Sequence, residues 1–452
     1  MLVTNPLKVS LKKEIIVKRQ KRREPYPIDI ENLSHEGRGI GHVDGKAVFV
    51  TGALPGEKVI ARTLRRKGSF DEAIVEEIVE ASPLRIEPLC KYATLCGGCS
   101  MQHMTGQHQI EHKESVLFEL FQHQAGLAPR IRLPALRGPE WGYRRKARLG
   151  VKFVPKKGGA LVGFREKAAP YIADIESCEV LHPTVGHRLM ELRTLVNGLS
   201  IRSRVPQIEV AIGDQAVALV FRHLEPFTEA DLNSLGEFQN HSEIGIYLQP
   251  GGENTVHPLN AETATLNYTV HGIKIDFKPT DFTQVNGEMN RAMIDLVIEK
   301  LAINDNDQIL DLFCGLGNFS LPMASHARTV LGVEGSIDLI NRARDNATTN
   351  KVGNCTFAHG DLADPAELER LDMRGVTKLL LDPPRTGADA IVTELKFDSI
   401  ERVVYVSCNP VTLARDAKAL VERHGFELSS AGVMDMFPHT AHVESIAIFD
   451  RR

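Results

Sequence analysis

Residues 307–322 read DQILDLFCGLGNFSLP, and this stretch indicates the fold of the C-terminal part of the chain. It begins with an apolar run suited to a buried parallel strand. Gly315 and Gly317 follow, and glycine permits both a tight turn and the close approach of a ligand to the backbone. A helical segment comes next, and the N–H groups of its first turn are free to bind a ligand. This order predicts a ligand site at the carboxyl end of a strand.

The alternation of strands and helices continues to the C-terminus. Further apolar runs suited to buried strands are TVLGVEG (329–335), VTKLLLDPP (376–384), RVVYVSC (402–408) and HVESIAIFD (442–450). Helical segments separate most of them. The pattern predicts a doubly wound, Rossmann-like α/β domain over residues 278–452.

The preceding residues predict two β-rich parts and a basic tail. Residues 24–80 contain short strand-like runs separated by glycine-rich turns, which is typical of a small OB-like β-barrel. Residues 81–277 predict a β-rich central domain with insertions. Residues 1–23 are rich in lysine and arginine and predict an N-terminal tail.

Composition predicts a cytoplasmic protein that contacts RNA. Of the 452 residues, 42% are hydrophobic and 25% charged, with neither a signal peptide nor an apolar run of the ~20 residues that span a bilayer. No membrane or protein partner is expected. The net charge is only −4, but cationic residues cluster in three places. The clusters are Lys12, Lys13, Lys18, Arg19, Lys21, Arg22 and Arg23; Arg62, Arg65, Arg66 and Lys67; and Arg144, Arg145, Lys146 and Arg148.

Acidic residues end the strands that follow the glycine loop. Glu334 ends the second strand, where its carboxylate could accept hydrogen bonds from ribose hydroxyls, and Asp361 follows the third, where it could hold a purine. The loop has Ser320 in place of the third glycine of the dinucleotide fingerprint. It is more similar to the first motif of S-adenosylmethionine-dependent methyltransferases than to a nicotinamide site. Asp382 ends the fourth strand, and two prolines stiffen the chain there before Arg385.

Cys408 ends the next strand, in YVSCNPVTLARD (405–416). Asn409 is suited to cap a helix and Pro410 to begin one. A helix N-terminus stabilises negative charge, so we expect a lowered thiol pKa and a nucleophile. A thiolate that adds to C6 of a pyrimidine makes C5 reactive enough to accept a methyl group, and a carboxylate must then remove the C5 proton. Glu444 is the candidate base.

Four other cysteines suggest a metal site. Cys90, Cys96 and Cys99 have the spacing C-x₅-C-x₂-C. Cys178 is favoured over Cys355 as the fourth ligand because Cys355 lies within the α/β domain. Four thiolates fit either zinc or an iron–sulfur cluster.

Five motifs together resemble the RNA uracil-C5 methyltransferase family, in the branch that acts on 23S ribosomal RNA. They are DFTQVN (281–286), DLFCGLGNFS (311–320), LLLDPPRTG (379–387), SCNPVTLARD (407–416) and MFPHTAHVES (436–445). The resemblance covers nearly the whole chain. It implies an RNA-binding TRAM barrel, a [4Fe–4S] cluster in the central domain, Cys408 as nucleophile and Glu444 as base. It also implies a set of residues around S-adenosylmethionine and uracil, namely Gln284, Phe313, Asn318, Glu334, Asp361 and Asp382.

Other functions remain open on the sequence alone. The same chemistry could act on transfer RNA or on another ribosomal uridine, and cytosine-C5 methylation uses the same thiolate logic. A non-catalytic RNA-binding or ribosome assembly protein would not need Cys408, Asp382 and the glycine loop together. A redox protein built around the cluster would not need the methyltransferase motifs.

Overall fold

The structure, a computed structural model, describes residues 24–261 and 263–452, so the predicted basic tail lies outside the described residues. These residues form two compact units. The first comprises residues up to 32 together with 39–81, and the second comprises 33–38 and 82–452.

The first unit is built on six strands. They are β1 (Tyr26–Asp29), β2 (Asn32–Leu33), β3 (Gly39–Val43), β4 (Lys46–Thr51), β5 (Lys58–Arg66) and β6 (Phe70–Glu80). They form one sheet in the order β1-β5-β6-β4-β3-β2. Every second residue of β4 and of the first half of β5 is buried, including Val48, Val50, Val59 and Ala61. This alternation gives the unit an apolar core of its own.

The second unit begins with a helix and a mixed sheet. Its elements to residue 258 are α1 (Gly106–Leu120), β7 (Ile131–Arg132), β8 (Lys146–Val154), β9 (Gly159–Gly163), α2 (Pro183–Gly186), α3 (Leu189–Gly198), β10 (Gln207–Ile212), β11 (Val217–Arg222), α4 (Glu229–Ser242), β12 (Gly245–Gln249) and β13 (His257–Pro258). Six of the strands form a sheet in the order β13-β12-β11-β10-β8-β9. α3 and α4 contribute Leu192, Val196 and Leu235 to the core of this sheet.

The remaining elements form the α/β domain. They are β14 (Leu266–Val270), β15 (Ile273–Phe277), α5 (Gly287–Leu301), β16 (Gln308–Leu312), α6 (Ser320–Ala324), β17 (Thr329–Glu334), α7 (Ile337–Thr349), β18 (Cys355–His359), α8 (Pro365–Glu369), β19 (Val376–Leu381), α9 (Asp389–Glu394), β20 (Arg402–Ser407), α10 (Pro410–His424), β21 (Phe426–Met434) and β22 (Glu444–Arg451). The sheet order is β18-β17-β16-β19-β20-β22-β21-β7, and β16 to β20 are parallel. The chain reverses its direction across the sheet between β16 and β19, which is where such folds bind ligands.

Both faces of this sheet are buried. Leu379 and Leu381 of β19 pack into one apolar cluster, while Leu380 packs into the other. β16 behaves in the same way, with Leu310 and Leu312 on one side and Ile309 on the other. Burial on two faces explains why these strands are apolar throughout.

One segment of the predicted central domain packs on the α/β sheet instead. β7 pairs in parallel with β21, through Ser430–Ile131 and Ala431–Arg132. α1 buries Val116, Leu117 and Leu120 in the core of that sheet. By its packing, the segment therefore belongs to the α/β sheet, although it precedes the mixed sheet in the chain.

Candidate active site

A cleft of about 500 Å³ lies at the carboxyl ends of the parallel strands. Leu312 of β16 aligns with Val333 of β17 and with Leu381 of β19, so the next residues of all three strands emerge at one edge. Phe313, Glu334 and Asp382 all line the cleft.

The loop after β16 has a tightly turned backbone. Gly315 and Gly317 have φ of 54° and 89°, and Phe313 has φ of 67°. A Cβ atom on Gly317 would come within 3.1 Å of the Leu321 side chain, so the loop requires glycine there. Phe313 holds a left-handed conformation that non-glycine residues rarely adopt. The ring thereby reaches the cleft.

Glu334 and Asn318 both organise this loop. The Glu334 carboxylate accepts hydrogen bonds from the backbone N–H groups of Gly315, at 3.2 Å, and Ser336, at 2.9 Å. The Asn318 side chain exchanges two hydrogen bonds of 2.9 Å with Asn290 and accepts one of 2.7 Å from the Tyr268 hydroxyl. The loop is therefore held from β17, α5 and the β14–β15 hairpin.

Cys408 and Glu444 meet where two antiparallel strands end. Ser407 of β20 pairs with Ser445 of β22, and Cys408 and Glu444 each lie one residue beyond this pair at the same edge of the sheet. Both line the cleft, together with Asp382, Arg385 and Gln284. Asn409 caps α10, since its side chain accepts a hydrogen bond of 3.2 Å from the Val411 N–H. The predicted cap and helix start are therefore confirmed.

The predicted low pKa of Cys408 is wrong for the protein without ligands. Burial, and then the negative charges of Glu444 and Asp382, raise the pKa of this thiol to about 11. The positive charge of Arg385 acts in the opposite direction. Burial, together with the two carboxyl groups, therefore outweighs the helix N-terminus, which the sequence argument considered alone.

The acidic groups of the cleft also have shifted pKa values. Burial and the charge of Asp382 raise the pKa of Glu444 to about 8, and burial raises the pKa of Asp382 to about 7. Asp311, just below the cleft on β16, is fully buried, and burial raises its pKa to about 7 as well. One of its carboxylate oxygens has no hydrogen-bond partner among residues 24–261 and 263–452. Two carboxyl groups with raised pKa values, Glu444 and Asp382, thus lie around the Cys408 thiol.

Sequence reasoning missed several residues that line the cleft, and it included one residue, Asp361, that lies outside the lining. Tyr268, Phe282 and Phe437 line the cleft, and Phe282 is 71% exposed. The motifs DFTQVN and MFPHTAHVES contain the two phenylalanines, whereas nothing in the local sequence marks Tyr268. Asp361 is exposed beyond β18, where its carboxylate accepts a hydrogen bond from the Ala363 N–H, and it does not line the cleft. Its predicted role stays a prediction.

The four cysteines of the predicted metal site surround a second cavity. Cys90, Cys96, Cys99 and Cys178 line an enclosed space of about 120 Å³, whereas Cys355 is buried in the core of the α/β domain. Burial raises the pKa of Cys99 to about 12 and that of Cys178 to about 11, and neighbouring cysteines add to both shifts. Within the part of the chain that the structure describes, no three or more Cys, His, Asp or Glu side chains are arranged as a metal site.

The segment before Glu444 is fastened to the region around that cavity. The backbone N–H groups of Ser100 and Met101 donate to the His439 carbonyl oxygen, at 2.9 and 3.0 Å. The buried Gln109 side chain accepts from the His439 N–H at 2.8 Å and donates to the carbonyl oxygens of Met101 and Met104.

A buried ion pair holds the same segment. The Lys113 ammonium lies 2.7 Å from the Asp435 carboxylate, and the side chains are 0% and 4% exposed. It also donates to the Phe437 carbonyl oxygen at 3.1 Å. The route from β21 to Glu444 is thus set by contacts with α1 and with the cysteine-rich loop, residues 90–101.

Comparison with known proteins agrees with this architecture. The model of the tRNA (uracil-5-)-methyltransferase family matches residues 210–452, and that of the TRAM domain matches residues 19–64. Among the described residues, no helix is long and apolar enough to cross a membrane.

Several relatives match along nearly their whole length. The 23S rRNA (uracil(1939)-C(5))-methyltransferase RlmD of Alkalilimnicola ehrlichii is 52% identical, over 96% of this chain and 98% of its own. That of Nitrosococcus oceani is 50% identical, over 95% and 97%. The crystal structure of Pyrococcus abyssi tRNA (uracil-54, C5)-methyltransferase with S-adenosyl-L-homocysteine has the same fold, with a TM-score of 0.72, 22% identity, and coverage of 94% of this chain and 100% of that one. The chain belongs to the family of S-adenosylmethionine-dependent RNA uracil-C5 methyltransferases.

Proposed function

We propose that the protein methylates C5 of a specific uridine in 23S ribosomal RNA through a covalent bond between Cys408 and C6 of the base. The observation that carries this proposal is the placement of Cys408 and Glu444 in one cleft beside the glycine loop, each one residue beyond the Ser407–Ser445 pair of β20 and β22. The identity to relatives named for 23S rRNA supports the choice of RNA.

The reaction uses the thiol and the carboxylate in turn. Cys408 releases its proton to solvent, and its thiolate adds to C6, which places negative charge on the enolate of the uracil ring. C5 then attacks the methyl group of S-adenosylmethionine, and S-adenosylhomocysteine leaves. Glu444 takes the proton from C5, the C6–S bond breaks, and the thiolate departs as the ring recovers its double bond. The target base must leave its stack, because C5 and C6 are attacked from outside the base plane.

The side chains around the cleft suit these steps. Arg385 favours the thiolate of Cys408, since its positive charge lowers the pKa of that thiol. Glu444 is protonated in part at neutral pH because its pKa is about 8, so it must ionise before it can accept the C5 proton. Phe282, exposed at the cleft, offers a face on which a base can stack.

The cleft also fits the methyl donor. The unpartnered oxygen of the buried Asp311 is suited to accept a hydrogen bond from the donor's ammonium group. Glu334, at the end of β17, is suited to the ribose hydroxyls. Gln284, Phe313, Asn318 and Asp382 are the remaining proposed contacts with the donor or the uracil. Asp361 stands apart from this lining, so its contribution rests on the family resemblance alone.

The four cysteines are proposed to hold a [4Fe–4S] cluster. Four thiols around one cavity match the ligands of such a cluster, and the raised pKa values of Cys99 and Cys178 mean that a cationic centre is needed to keep these two ionised. The cluster would supply four metal–thiolate bonds that tie the loop around Cys96 to Cys178. Zinc is the alternative, and measurement of iron and acid-labile sulfide in the purified protein separates the two.

The proposed reaction is tested by trapping its intermediate. Protein, methyl-labelled S-adenosylmethionine and unmodified 23S rRNA transcript are incubated, and the nucleosides are then identified. Labelled 5-methyluridine at one position is expected. Glu444→Gln should accumulate a labelled protein–RNA adduct that survives denaturing electrophoresis, because the C5 proton cannot be removed. Cys408→Ala should give neither product nor adduct.

The choice of RNA is tested by unmodified transfer RNA transcripts in parallel. Label in 23S RNA alone supports the proposal, whereas label in transfer RNA alone keeps the chemistry and overturns the substrate. Absence of label in both would favour an RNA-binding role without catalysis. A ribosomal RNA substrate accords with the cytoplasmic location predicted from the sequence.

A further inference from the structure

A groove of about 760 Å³ lies on the outer side of strands β8 and β9, apart from the catalytic cleft. Four cationic side chains line it, together with Tyr171 and a single acidic residue, Glu166. The cationic side chains are Arg148, Lys152, Lys157 and Arg165. The proposed chemistry uses none of them.

A short hairpin forms one wall of the groove. The Ala173 N–H donates to the Phe164 carbonyl oxygen at 2.8 Å, and the Glu166 N–H donates to the Tyr171 carbonyl oxygen at 2.9 Å. Gly150 of β8 lets this hairpin cross the strand, because a Cβ atom there would lie 2.4 Å from Ile172. Arg165 and Tyr171 are thereby carried at a fixed place beside β8.

The other side of the hairpin rests on the cysteine-rich loop. The Gly97 N–H donates to the Arg165 carbonyl oxygen, and the Lys167 N–H donates to that of Leu95, both at 2.8 Å. Cys96 and Glu166 form a β-bridge. The loop that carries three of the four cysteines therefore supports the wall that holds Arg165 and Tyr171.

The outward face of β8 leads from the groove toward the segment that borders the catalytic cleft. Alternate residues of this strand face outward, and Lys146, Arg148, Gly150 and Lys152 form that row. At one end, the Lys146 ammonium donates to the carbonyl oxygen of Asp281, the residue before Phe282 of the cleft. At the other end, Lys152 lies roughly 13 Å beyond Arg148, at 3.3 Å per residue.

The cationic side chains of β8 and of the hairpin differ in whether they already have a partner. Lys146 is bound to backbone oxygens, and Arg148 lies 3.2 Å from Glu209. Lys152 and Arg165 are exposed, and neither has an ion-pair partner in residues 24–261 and 263–452. Tyr171 beside them is 69% exposed. Unpaired cations next to an exposed aromatic ring are the combination that binds single-stranded nucleic acid.

We propose that this groove binds unpaired nucleotides of the substrate RNA that adjoin the target uridine. Lys152 and Arg165 contact the phosphates, and Tyr171 stacks on a base. The proposal rests on the proposed function for the identity of the RNA. It adds a second contact surface, which sets how much RNA beyond the target nucleotide the protein recognises.

The test measures RNA affinity and its salt dependence on the full-length holoprotein. A Cys408→Ala background keeps adducts out of the measurement. Two RNAs are compared by fluorescence anisotropy. One is the unmodified 23S fragment that the protein methylates, and the other is the same fragment without the unpaired nucleotides that flank the target. Lys152→Gln/Arg165→Gln should bind the longer RNA more weakly and lower the slope of log K against log salt by roughly 0.7 for each cation removed. Tyr171→Ala should weaken that binding at least about fivefold, whereas Tyr171→Phe should not.

Three controls make the outcome decisive. Lys396→Gln/Lys418→Gln removes two exposed charges from the α/β domain and should leave affinity and slope unchanged. The trimmed RNA should bind groove variants and parent equally, and all variants should keep their affinity for S-adenosylmethionine. Equal affinity of groove variants and parent for the longer RNA would overturn the proposal, as would an equal loss on both RNAs. A failure of the proposed function is distinct, because the protein with Cys408 intact would then methylate neither RNA.

Discussion

The cleft around Cys408 and the cavity of four cysteines both contain half-buried thiols, but the two are assembled differently. The cleft is formed where strands of one sheet end, so its residues come from repeated positions of a regular fold. The cavity is formed by loops, and Cys178 joins the other three across nearly 80 residues of chain. Regular structure brings the first set together, whereas only the packing of loops brings together the second.

The two regions also differ in the charges around their thiols. Cys408 is the thiol of a site with two carboxyl groups and a nearby arginine. The charges that raise the pKa of Cys99 come from Cys178, Cys96 and Cys90. A single thiol beside a base suits covalent chemistry, and several thiols that repel one another when ionised suit a cationic centre. The comparison therefore predicts that the regions can be disabled separately.

The largest expected effect is that one variant loses activity but keeps its iron, whereas a second variant loses iron. Cys408→Ala should lower methyl transfer at least roughly 10⁴-fold, as loss of a nucleophile does, while iron content and melting temperature stay unchanged. Cys178→Ala should lower iron content and melting temperature, because the proposed cluster would stabilise the folded state. The measurements are single-turnover methylation, iron analysis and thermal melting. Iron loss in Cys408→Ala would contradict the separation of the two regions.

The next largest effect concerns the Lys113–Asp435 ion pair, which holds the segment before Glu444. Lys113→Met leaves the Asp435 carboxylate buried without its partner, which should cost about 3–5 kcal/mol of stability. The loss is measured as a lower midpoint in thermal and urea unfolding. Lys113→Met/Asp435→Asn should recover much of it, since no unpaired charge remains. Lys418→Met, on an exposed residue of α10, is the control and should change the midpoint little. An equal loss in the double variant would argue against the pair.

A smaller effect is expected where α1 holds the segment before Glu444. Gln109→Leu removes the partners of the His439 N–H and of two carbonyl oxygens, which should cost about 1–3 kcal/mol. Because His439 lies five residues before Glu444, the rate of adduct breakdown should fall, while iron content and S-adenosylmethionine affinity stay constant. An iron loss equal to that of Cys178→Ala would show that Gln109 acts on the cavity instead.

The smallest effect is a pH dependence confined to the cleft. Since the pKa of Glu444 is about 8, its basic form increases as pH rises, and breakdown of the methylated adduct should accelerate up to about tenfold from pH 6.5 to 7.5 and level off above 9. Rapid-quench measurement of the adduct at each pH tests this. Iron content should not change over the same range. A breakdown rate that is flat from pH 6 to 9 would rule out Glu444 as the base with this pKa.

Much of the cleft could be predicted because it follows from a regular pattern. Apolar strands that alternate with helices predict a parallel sheet, and the carboxyl ends of such strands share an edge. Asp382, Glu334 and Cys408 each end a strand, so their meeting in one cleft required no knowledge of the packing. Tyr268 was missed because it reaches the cleft from a hairpin outside that sheet.

The sequence by itself determined the order of elements, the glycine loop, the cap of α10 and the family. These depend on local spacing, which sequence records directly. Only the tertiary structure decided that α1 and β7 join the α/β sheet, that the cysteine-rich loop supports the segment before Glu444, and that the pKa of Cys408 is raised instead of lowered. Each of these depends on residues far apart in the chain, and burial and charge act through distance in space.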